Sequence, residues 1–282
     1  MKLRSMWIIF IVSLLVTLPM RIYQVLFLVD PETGFYTNLS VFSNILSVLL
    51  AASVVIMAVL CFKNCPNKQY KAFKSTLLTV VSAISGLGMI ILFVFSFLSA
   101  SQAEKSLPDA IMTILGICSG IIFITAAYNF AVGENLFEKF ELIALIPSLW
   151  GCAYLVKLFL ECVSTINIAE NVYNTFTVSF LLLYLFTQAK LFTGIENEKS
   201  GKMIYVFGFP AVLMLLITGI PGTLMLFLNI NQISALPREL YPINILMAAY
   251  IITFLFGFSH TQECKSVNIG NDFEVGVHTT EH

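Results

Sequence analysis

Charged side chains are scarce in this sequence. Lysine, arginine, aspartate and glutamate make up 11% of its 282 residues, whereas a soluble domain carries about 25%. Hydrophobic residues make up 58%, and the formal net charge is only −1. The shortage of charge excludes an ordinary soluble domain, and the near-neutral balance provides no basic field for nucleic acid. This composition is typical of a polytopic membrane protein, whose first partner is the lipid bilayer.

Histidines and catalytic motifs are missing from the places where an enzyme would need them. The three histidines, His260, His278 and His282, all follow the last long apolar run. The sequence contains no phosphate-binding loop, no HExxH zinc motif, no nucleophile elbow and no dinucleotide fingerprint. Most of the six cysteines lie within apolar runs, where cysteine behaves as a small hydrophobe. We therefore predict neither a metal nor a cofactor, and we do not expect an enzyme.

Long apolar runs are what the sequence has in abundance. Each of eight runs approaches the roughly 20 residues that a helix needs to cross a bilayer core of about 30 Å. The alternation of a membrane β-barrel is absent, and the runs far exceed barrel strands of about ten residues. We predict an all-α fold of eight transmembrane helices, at residues 6–29, 39–61, 75–98, 110–132, 142–164, 171–193, 203–229 and 241–259. The transmembrane domain thus covers residues 1–259, and a polar tail covers residues 260–282.

The positions of lysine and arginine predict the orientation. Eleven of the fifteen fall at the end of the bundle that carries the N-terminus, whereas only Lys105 and Arg238 fall in loops at the other end. Cytoplasmic loops carry the excess of Lys and Arg in membrane proteins. We therefore predict a multi-pass protein of the plasma membrane with both termini in the cytoplasm.

Three ionisable side chains lie inside predicted spans, where a charge costs about 2.5–3.5 kcal/mol at a helix centre. They are Arg21 in the first span and Lys157 and Glu161 in the fifth. At about 1.5 Å per residue, all three lie in the outer half of the bilayer. Lys157 and Glu161 are four residues apart, so they share a helix face and can pair. Four polar amides also occupy the outward halves of their spans: Gln24, Asn44, Asn174 and Asn244.

Two main interpretations of these charges remain open, beside a third in which they pair with charges of another subunit within the membrane. In the first, the charges and the amides line an outward-facing cavity, where two cations against one anion leave an excess of about +1 that suits an anionic solute. Three acidic residues near the outer mouth can add compensation: Asp30, Glu32 and Glu170. In the second, Arg21 extends outward to the headgroups, and Lys157 and Glu161 form a neutral structural pair.

Each interpretation predicts a different role. A polar cavity predicts a transporter or permease-like protein for a small, anionic solute. Structural charges predict a non-transporting sensor or assembly partner, which would bind another membrane protein through its helices because no loop is large enough to form a domain. A third alternative, a lipid-acting enzyme with Glu161 as base, lacks a recognisable nucleophile or metal set.

Glycine and proline mark two further features. Gly116 and Gly120 place small residues four apart on one helix, as do Ser82 and Gly86 on another, and such faces allow close helix packing. The seventh span contains Gly219, Pro221 and Gly222, where loss of a backbone donor predicts a kink or break. Broken helices line binding sites in some transporters, so these residues are candidates for a hinge.

One segment resembles a known group of proteins. It covers residues 146–196 and reads IPSLWGCAYLVKLFLECVSTINIAENVYNTFTVSFLLLYLFTQAKLFTGIE. It opens with P-x-L-W, carries a basic residue in the following span, begins the next span with N-V and has a glycine after the cytoplasmic end of that span. In these features it resembles uncharacterised multi-pass membrane proteins of Gram-positive anaerobic bacteria. The resemblance implies a bacterial plasma membrane and carries no activity.

Overall fold

The computed structural model describes residues 2–30, 41–65, 70–99, 107–164, 169–230 and 240–275, and the side chains among them except at residues 2–3, 161–164, 169, 197–198 and 260–275. Within these ranges the chain is helical and contains no β-strand. The helices are α1 (Lys2–Phe27), α2 (Val41–Asn64), α3 (Thr76–Ser99), α4 (Leu107–Val132), α5 (Glu141–Ala144), α6 (Ile146–Ser164), α7 (Ala169–Thr193), α8 (Asn197–Phe227) and α9 (Tyr241–Val275).

Eight helical segments are long and apolar enough to cross a membrane, and together α5 and α6 form the fifth of them. Helices are the expected solution because a backbone in lipid must satisfy its hydrogen bonds within the segment. The predicted all-α class and the eight spans are therefore confirmed. The last candidate span has the predicted bounds, Tyr241–Ser259, and α9 continues beyond it to Val275, through part of the segment predicted as a polar tail.

We call the end of the bundle at which α1 finishes and α2 begins the outer end, following the orientation predicted from charge. The opposite end, called the inner end, holds a dense aromatic cluster. Neighbouring rings lie 5.3–6.3 Å apart between centroids. They come from the segment after α2, from α4 and the short 3-10 helix Leu136–Glu138 that follows it, and from α7 and α9: Tyr70, Phe73, Phe130, Phe137, Phe192, Phe254 and Phe258. The pairs include edge-on, tilted and stacked rings, which pack an apolar core well. The polar side chains that concern function lie mainly in the other half.

Helix α8 is the central helix of the bundle. The interior of the protein encloses 78% of its span, compared with 22% of the span of α1. It packs against α1, α2, α7 and α9. A helix that is apolar all round, as α8 is, must be surrounded by others or by lipid.

The glycines of α8 lie where α9 approaches closely. A Cβ atom on Gly222 would be 2.3 Å from Cδ1 of Tyr241, and one on Gly219 would be 2.9 Å from Cβ of Asn244. Helix α8 is continuous from Asn197 to Phe227 through Pro221. The sequence predicts a kink or break at residues 219–222. The helix does not break there, because neighbouring helices hold the segment in helical form and its glycines make room for α9, while a kink or hinge at these residues stays a prediction.

Helices α3 and α4 pack backbone against backbone through their small residues. A Cβ atom on Gly86 would be 2.6 Å from the carbonyl oxygen of Gly120. The hydroxyl of Ser82 donates a hydrogen bond to the carbonyl oxygen of Phe123 at 2.7 Å. The prediction that these small-residue faces serve close packing is confirmed.

Candidate functional site

Helix α7 presents a buried polar face near the outer end of the bundle. Tyr173, Asn174 and Thr177 follow Glu170 by three, four and seven residues, so one side of the helix carries them all. None of the four is more than 7% exposed. A polar stripe on a helix in a membrane must face protein, because lipid offers it no hydrogen-bond partners. The neighbours that satisfy this face belong to α1, α2, α8 and α9.

Arg21 of α1 is fully enclosed against this face, with 0% exposure. Its guanidinium forms an ion pair and hydrogen bond with the Glu170 carboxylate. A second guanidinium nitrogen donates to Oε1 of Gln24 at 2.5 Å, one turn along α1. The guanidinium carbon lies 3.9 Å from the ring centroid of Tyr173, which is a cation–π distance. The interpretation in which Arg21 extends outward to the headgroups is therefore wrong.

Tyr173 connects this ion pair to α2. Its hydroxyl shares a hydrogen bond of 3.2 Å with the hydroxyl of Ser47. Ser47 also donates to the backbone carbonyl of Ser43, one turn earlier. The ring of Tyr173 therefore covers the guanidinium while its hydroxyl is held in place by a neighbouring helix.

The lower part of the same face connects α7 to α8 and α9. The amide of Asn174 donates to the hydroxyl of Tyr241 at 3.3 Å. The amide of Asn244 donates to the hydroxyl of Thr218 at 3.2 Å, and Thr177 donates to that hydroxyl at 3.4 Å. We call the whole set the outer polar network, and it comprises Arg21, Gln24, Ser47, Glu170, Tyr173, Asn174, Thr177, Thr218, Tyr241 and Asn244.

Lys157 belongs to a second ion pair on different helices. Its ammonium, on α6, contacts the carboxylate of Asp109 in the first turn of α4. The lysine side chain is 5% exposed and the aspartate side chain is 26% exposed. The helix dipole of α4 adds to the stabilisation of this carboxylate, since Asp109 lies at the positive end of the helix.

The structure changes the predicted charge balance. Two cations facing a single anion, Glu161, would leave an excess of about +1, but Arg21 and Lys157 each have a carboxylate of their own. The side chain of Glu161 lies outside the described residues, so its predicted pairing with Lys157 stays a prediction. The described ion pairs at the outer end are neutral, and this removes the electrostatic argument for a purely anionic solute.

The predicted site residues therefore divide into groups. Arg21, Gln24, Asn174 and Asn244 come together in the outer polar network. Lys157 lies in the second pair, and Asn44 is exposed on the surface of α2. The predicted hinge residues adjoin the network, because Gly219 packs against Asn244 and Gly222 against Tyr241.

Of the two carboxylates that neutralise the cations, sequence reasoning missed Asp109 and named Glu170 only as a compensating charge near the outer mouth. The spans were predicted to begin at residues 110 and 171, and helices α4 and α7 begin at Leu107 and Ala169. Asp109 and Glu170 therefore appeared to be loop residues, although Glu170 was expected to compensate from the mouth. The motif Leu107-Pro108-Asp109 carried a usable signal, since proline and an acidic residue favour the first turn of a helix.

The chemistry of the outer polar network is hydrogen bonding and ion pairing. Its groups are a guanidinium, a carboxylate, amides and hydroxyls, which offer donors and acceptors but no nucleophile with its base. The Nε atom of Arg21 is buried and finds no acceptor among the residues described. Across the same described ranges, no three His, Cys, Asp or Glu side chains are grouped to hold a metal ion.

Comparison with protein-family models, with curated proteins and with solved structures finds no match to this chain. The evidence for function is therefore the chain's own geometry, and above all the enclosed ion pair between Arg21 and Glu170.

Proposed function

We propose that this chain is a transporter-like protein of the plasma membrane that binds a small polar solute at the outer polar network. The observation that carries the proposal is the fully enclosed pair of Arg21 and Glu170, which leaves the buried Nε donor of Arg21 without an acceptor in the described structure. Ionisable groups inside membrane spans are costly and commonly mark substrate pathways.

Stability alone is a weak reason for such a pair. Replacing a buried ion pair by well-packed apolar residues is often neutral or stabilising. Here the pair is also accompanied by hydroxyls and amides from five helices, α1, α2, α7, α8 and α9. A ligand could replace these internal hydrogen-bond and ion-pair partners. Ligand binding would therefore explain the network, whereas helix packing alone would not.

The charges of the pair favour a zwitterionic solute such as an α-amino acid. A solute that carries only an anion would displace Glu170 from Arg21 and leave a buried carboxylate without a cation, which is strongly unfavourable. A solute with both a carboxylate and an ammonium can bind Arg21 with the first and Glu170 with the second. Arginine suits this role because it binds carboxylates in a bidentate manner.

Thermal unfolding of the purified protein in detergent tests the binding step. The compounds to compare are neutral amino acids, simple carboxylates, simple amines and sugars. We expect only zwitterions to raise the melting temperature, because a ligand at 100 times its Kd stabilises the folded state by about 2.7 kcal/mol. Stabilisation by carboxylates alone would contradict the solute class, and stabilisation by no compound would contradict the site.

Uptake of the stabilising compound into proteoliposomes tests transport. The double variant Arg21→Gln, Glu170→Gln removes both charges together, so it leaves no lone buried charge, and we expect it to abolish uptake. Lys63→Gln is a matched control because Lys63 is an exposed cation at the inner end of α2. Binding without uptake above that of protein-free liposomes would contradict a transport role.

One observation favours the alternative, an assembly partner that does not transport. Asn44 is exposed on α2, and an amide on the outside of a membrane helix can hydrogen-bond to a helix of another protein. Under this alternative, a second membrane protein co-purifies from native membranes and is lost in Asn44→Leu. A preparation that is monomeric and free of partners would contradict it.

A further inference from the structure

A groove on the bilayer-facing surface of the inner end is distinct from the outer polar network. It lies between the short helix α5 and the last turns of α7 and has a volume of about 250 Å³. That is below the roughly 300–1,000 Å³ of a site for a drug-sized ligand. Its lining is almost wholly apolar and includes Leu142, Leu145, Phe186 and Ala189.

The groove lies at the ends of two candidate spans, Glu141–Leu160 and Glu170–Thr193, where we expect lipid headgroups to meet hydrocarbon. Lys190 belongs to the last turn of α7, and Glu141 begins α5, so both charged residues of the lining lie at helix ends. Leu142, beside them, is 80% exposed. An apolar groove with charged groups at one end matches the shape of a lipid, whose acyl chain continues into hydrocarbon from a polar headgroup.

The cation at the mouth is fixed in position. The ammonium of Lys190 donates a hydrogen bond to the Glu196 carboxylate at 3.1 Å and lies 5.4 Å from the ring centroid of Phe186. This hydrogen bond lowers the pKa of Glu196, which therefore remains ionised beside the membrane. The positive charge of Lys190 therefore lies between the Glu196 carboxylate and the Phe186 ring, which lines the groove.

The charge at the mouth selects among headgroups. Glu141 and Glu196 face Lys190 and Lys199, whose charges both act on Glu196, so these four residues sum to zero, and the adjacent Glu138 and Lys139 cancel each other. A headgroup whose only charge is its phosphate could bind Lys190 but would offer no cation to Glu141. A choline headgroup cannot donate an N–H bond to the carboxylates. An ethanolamine headgroup offers a phosphate to Lys190 and an ammonium with three N–H donors to Glu141 and Glu196.

We propose that the α5–α7 groove binds one phosphatidylethanolamine molecule from the bilayer, with an acyl chain in the groove and the headgroup between Lys190 and Glu141. The site does not depend on the outer polar network or on any transported solute. Lipid held in this way would hold α5 against α7 at the inner surface.

Native mass spectrometry of protein taken from nanodiscs tests the proposal. The nanodiscs contain phosphatidylethanolamine, phosphatidylglycerol and phosphatidylcholine in equal amounts. We expect one retained lipid, with phosphatidylethanolamine favoured several-fold. Glu141→Gln should abolish the preference for ethanolamine, while Glu134→Gln, an exposed acidic residue outside the groove lining, should keep it.

A second variant tests the groove rather than the headgroup. Leu142→Trp places a large ring over the groove. Because Leu142 is exposed, the substitution leaves the core unchanged. We expect this variant to retain none of the three kinds of lipid. Equal retention of the three lipids by the wild type would overturn the proposal. So would the absence of a retained lipid, or a preference that survives in Glu141→Gln.

Discussion

At the residue scale, the environment of Arg21 makes its contribution to stability depend on one carboxylate. The guanidinium has 0% exposure and pairs with Glu170, which is 3% exposed. Neither group can turn to water if its partner is removed. The contribution of each charge to the free energy of unfolding therefore depends on the other charge. Comparing the two single variants with the double variant measures this coupling energy.

We expect Arg21→Gln to destabilise the protein by about 3–5 kcal/mol, because the substitution leaves the Glu170 carboxylate buried without a cation. Glu170→Gln should cost a similar amount for the opposite reason. The measurement is reversible unfolding by SDS in mixed micelles, followed by the far-ultraviolet circular dichroism signal.

The double variant Arg21→Gln, Glu170→Gln provides the decisive comparison. With both charges gone, we expect it to be clearly more stable than the sum of the two single effects predicts. Lys63→Gln, which replaces an exposed cation, should change stability by less than about 0.5 kcal/mol. Strict additivity of the two single effects would show that the pair is not coupled.

The sequence identified several residues of the outer polar network correctly, but it did not predict which other residues they contact. Arg21, Gln24, Asn174 and Asn244 stand out because polar groups are rare in apolar runs. The direction of each side chain depends on which helices are neighbours, and hydrophobicity carries no information on that. Asn44 and Asn174 are both polar amides within apolar runs, so the sequence treats them alike. In the structure Asn44 is exposed on the surface of the bundle and Asn174 is buried, and only the packing of the helices distinguishes the two.

At the element scale, glycine serves helix packing at several positions, and the cost of filling each one depends on what lies opposite. Gly86 faces the backbone of α4, because a Cβ there would approach the Gly120 carbonyl oxygen to 2.6 Å and the Ile124 nitrogen to 3.0 Å. Gly88, half a turn along the same helix, faces only the Leu246 side chain, whose Cδ1 would lie 2.5 Å away.

These two glycines give a matched prediction. Gly86→Ala should destabilise the protein by about 1–3 kcal/mol, because backbone cannot move aside and α3 must separate from α4. Gly88→Ala should change stability by less than about 1 kcal/mol, because one leucine methyl can rotate and alanine favours the helix. SDS-induced unfolding measures both, and equal effects would contradict the assignment of Gly86 to a backbone contact.

The prolines and glycines of α8 illustrate a limit of local sequence signals. Gly219, Pro221 and Gly222 weaken an isolated helix, which is why a kink or break was predicted there. In the bundle, α8 is central and its neighbours hold it from all sides, so the helix continues through the motif. The residues that would weaken an isolated α8 therefore lie where α9 packs closely against it.

At the scale of the whole molecule, the number of spans was predictable and their arrangement was not. The bilayer requires about 20 apolar residues in each helix, so counting runs gives the fold class directly. Which helix lies at the centre depends on contacts between distant segments, such as α3 with α9 and α2 with α8. These contacts leave no periodic signal in one sequence, and the partners of Arg21 and Lys157 were hidden for the same reason.

The orientation of the bundle is a property of the whole chain, and the distribution of its cations predicts it. We expect green fluorescent protein fused after residue 282 to fluoresce, since it does so when it folds in the cytoplasm. Alkaline phosphatase inserted in the segment of residues 101–106 should be active, since it requires the outer side. The opposite pattern would place both termini outside and would exchange the outer and inner ends used here.

The same fusions can show whether charge is the cause of that orientation. Lysines cluster between the second and third spans, in the segment KNCPNKQYKAFK of residues 63–74, within the short distance of span ends over which the positive-inside bias acts. Replacing its four lysines by glutamine should convert part of the population to the inverted form. Replacing four of its neutral residues instead should leave the fusion pattern unchanged. If both variants kept the wild-type pattern, the remaining cations at the inner end would be sufficient, and the orientation would not depend on this loop.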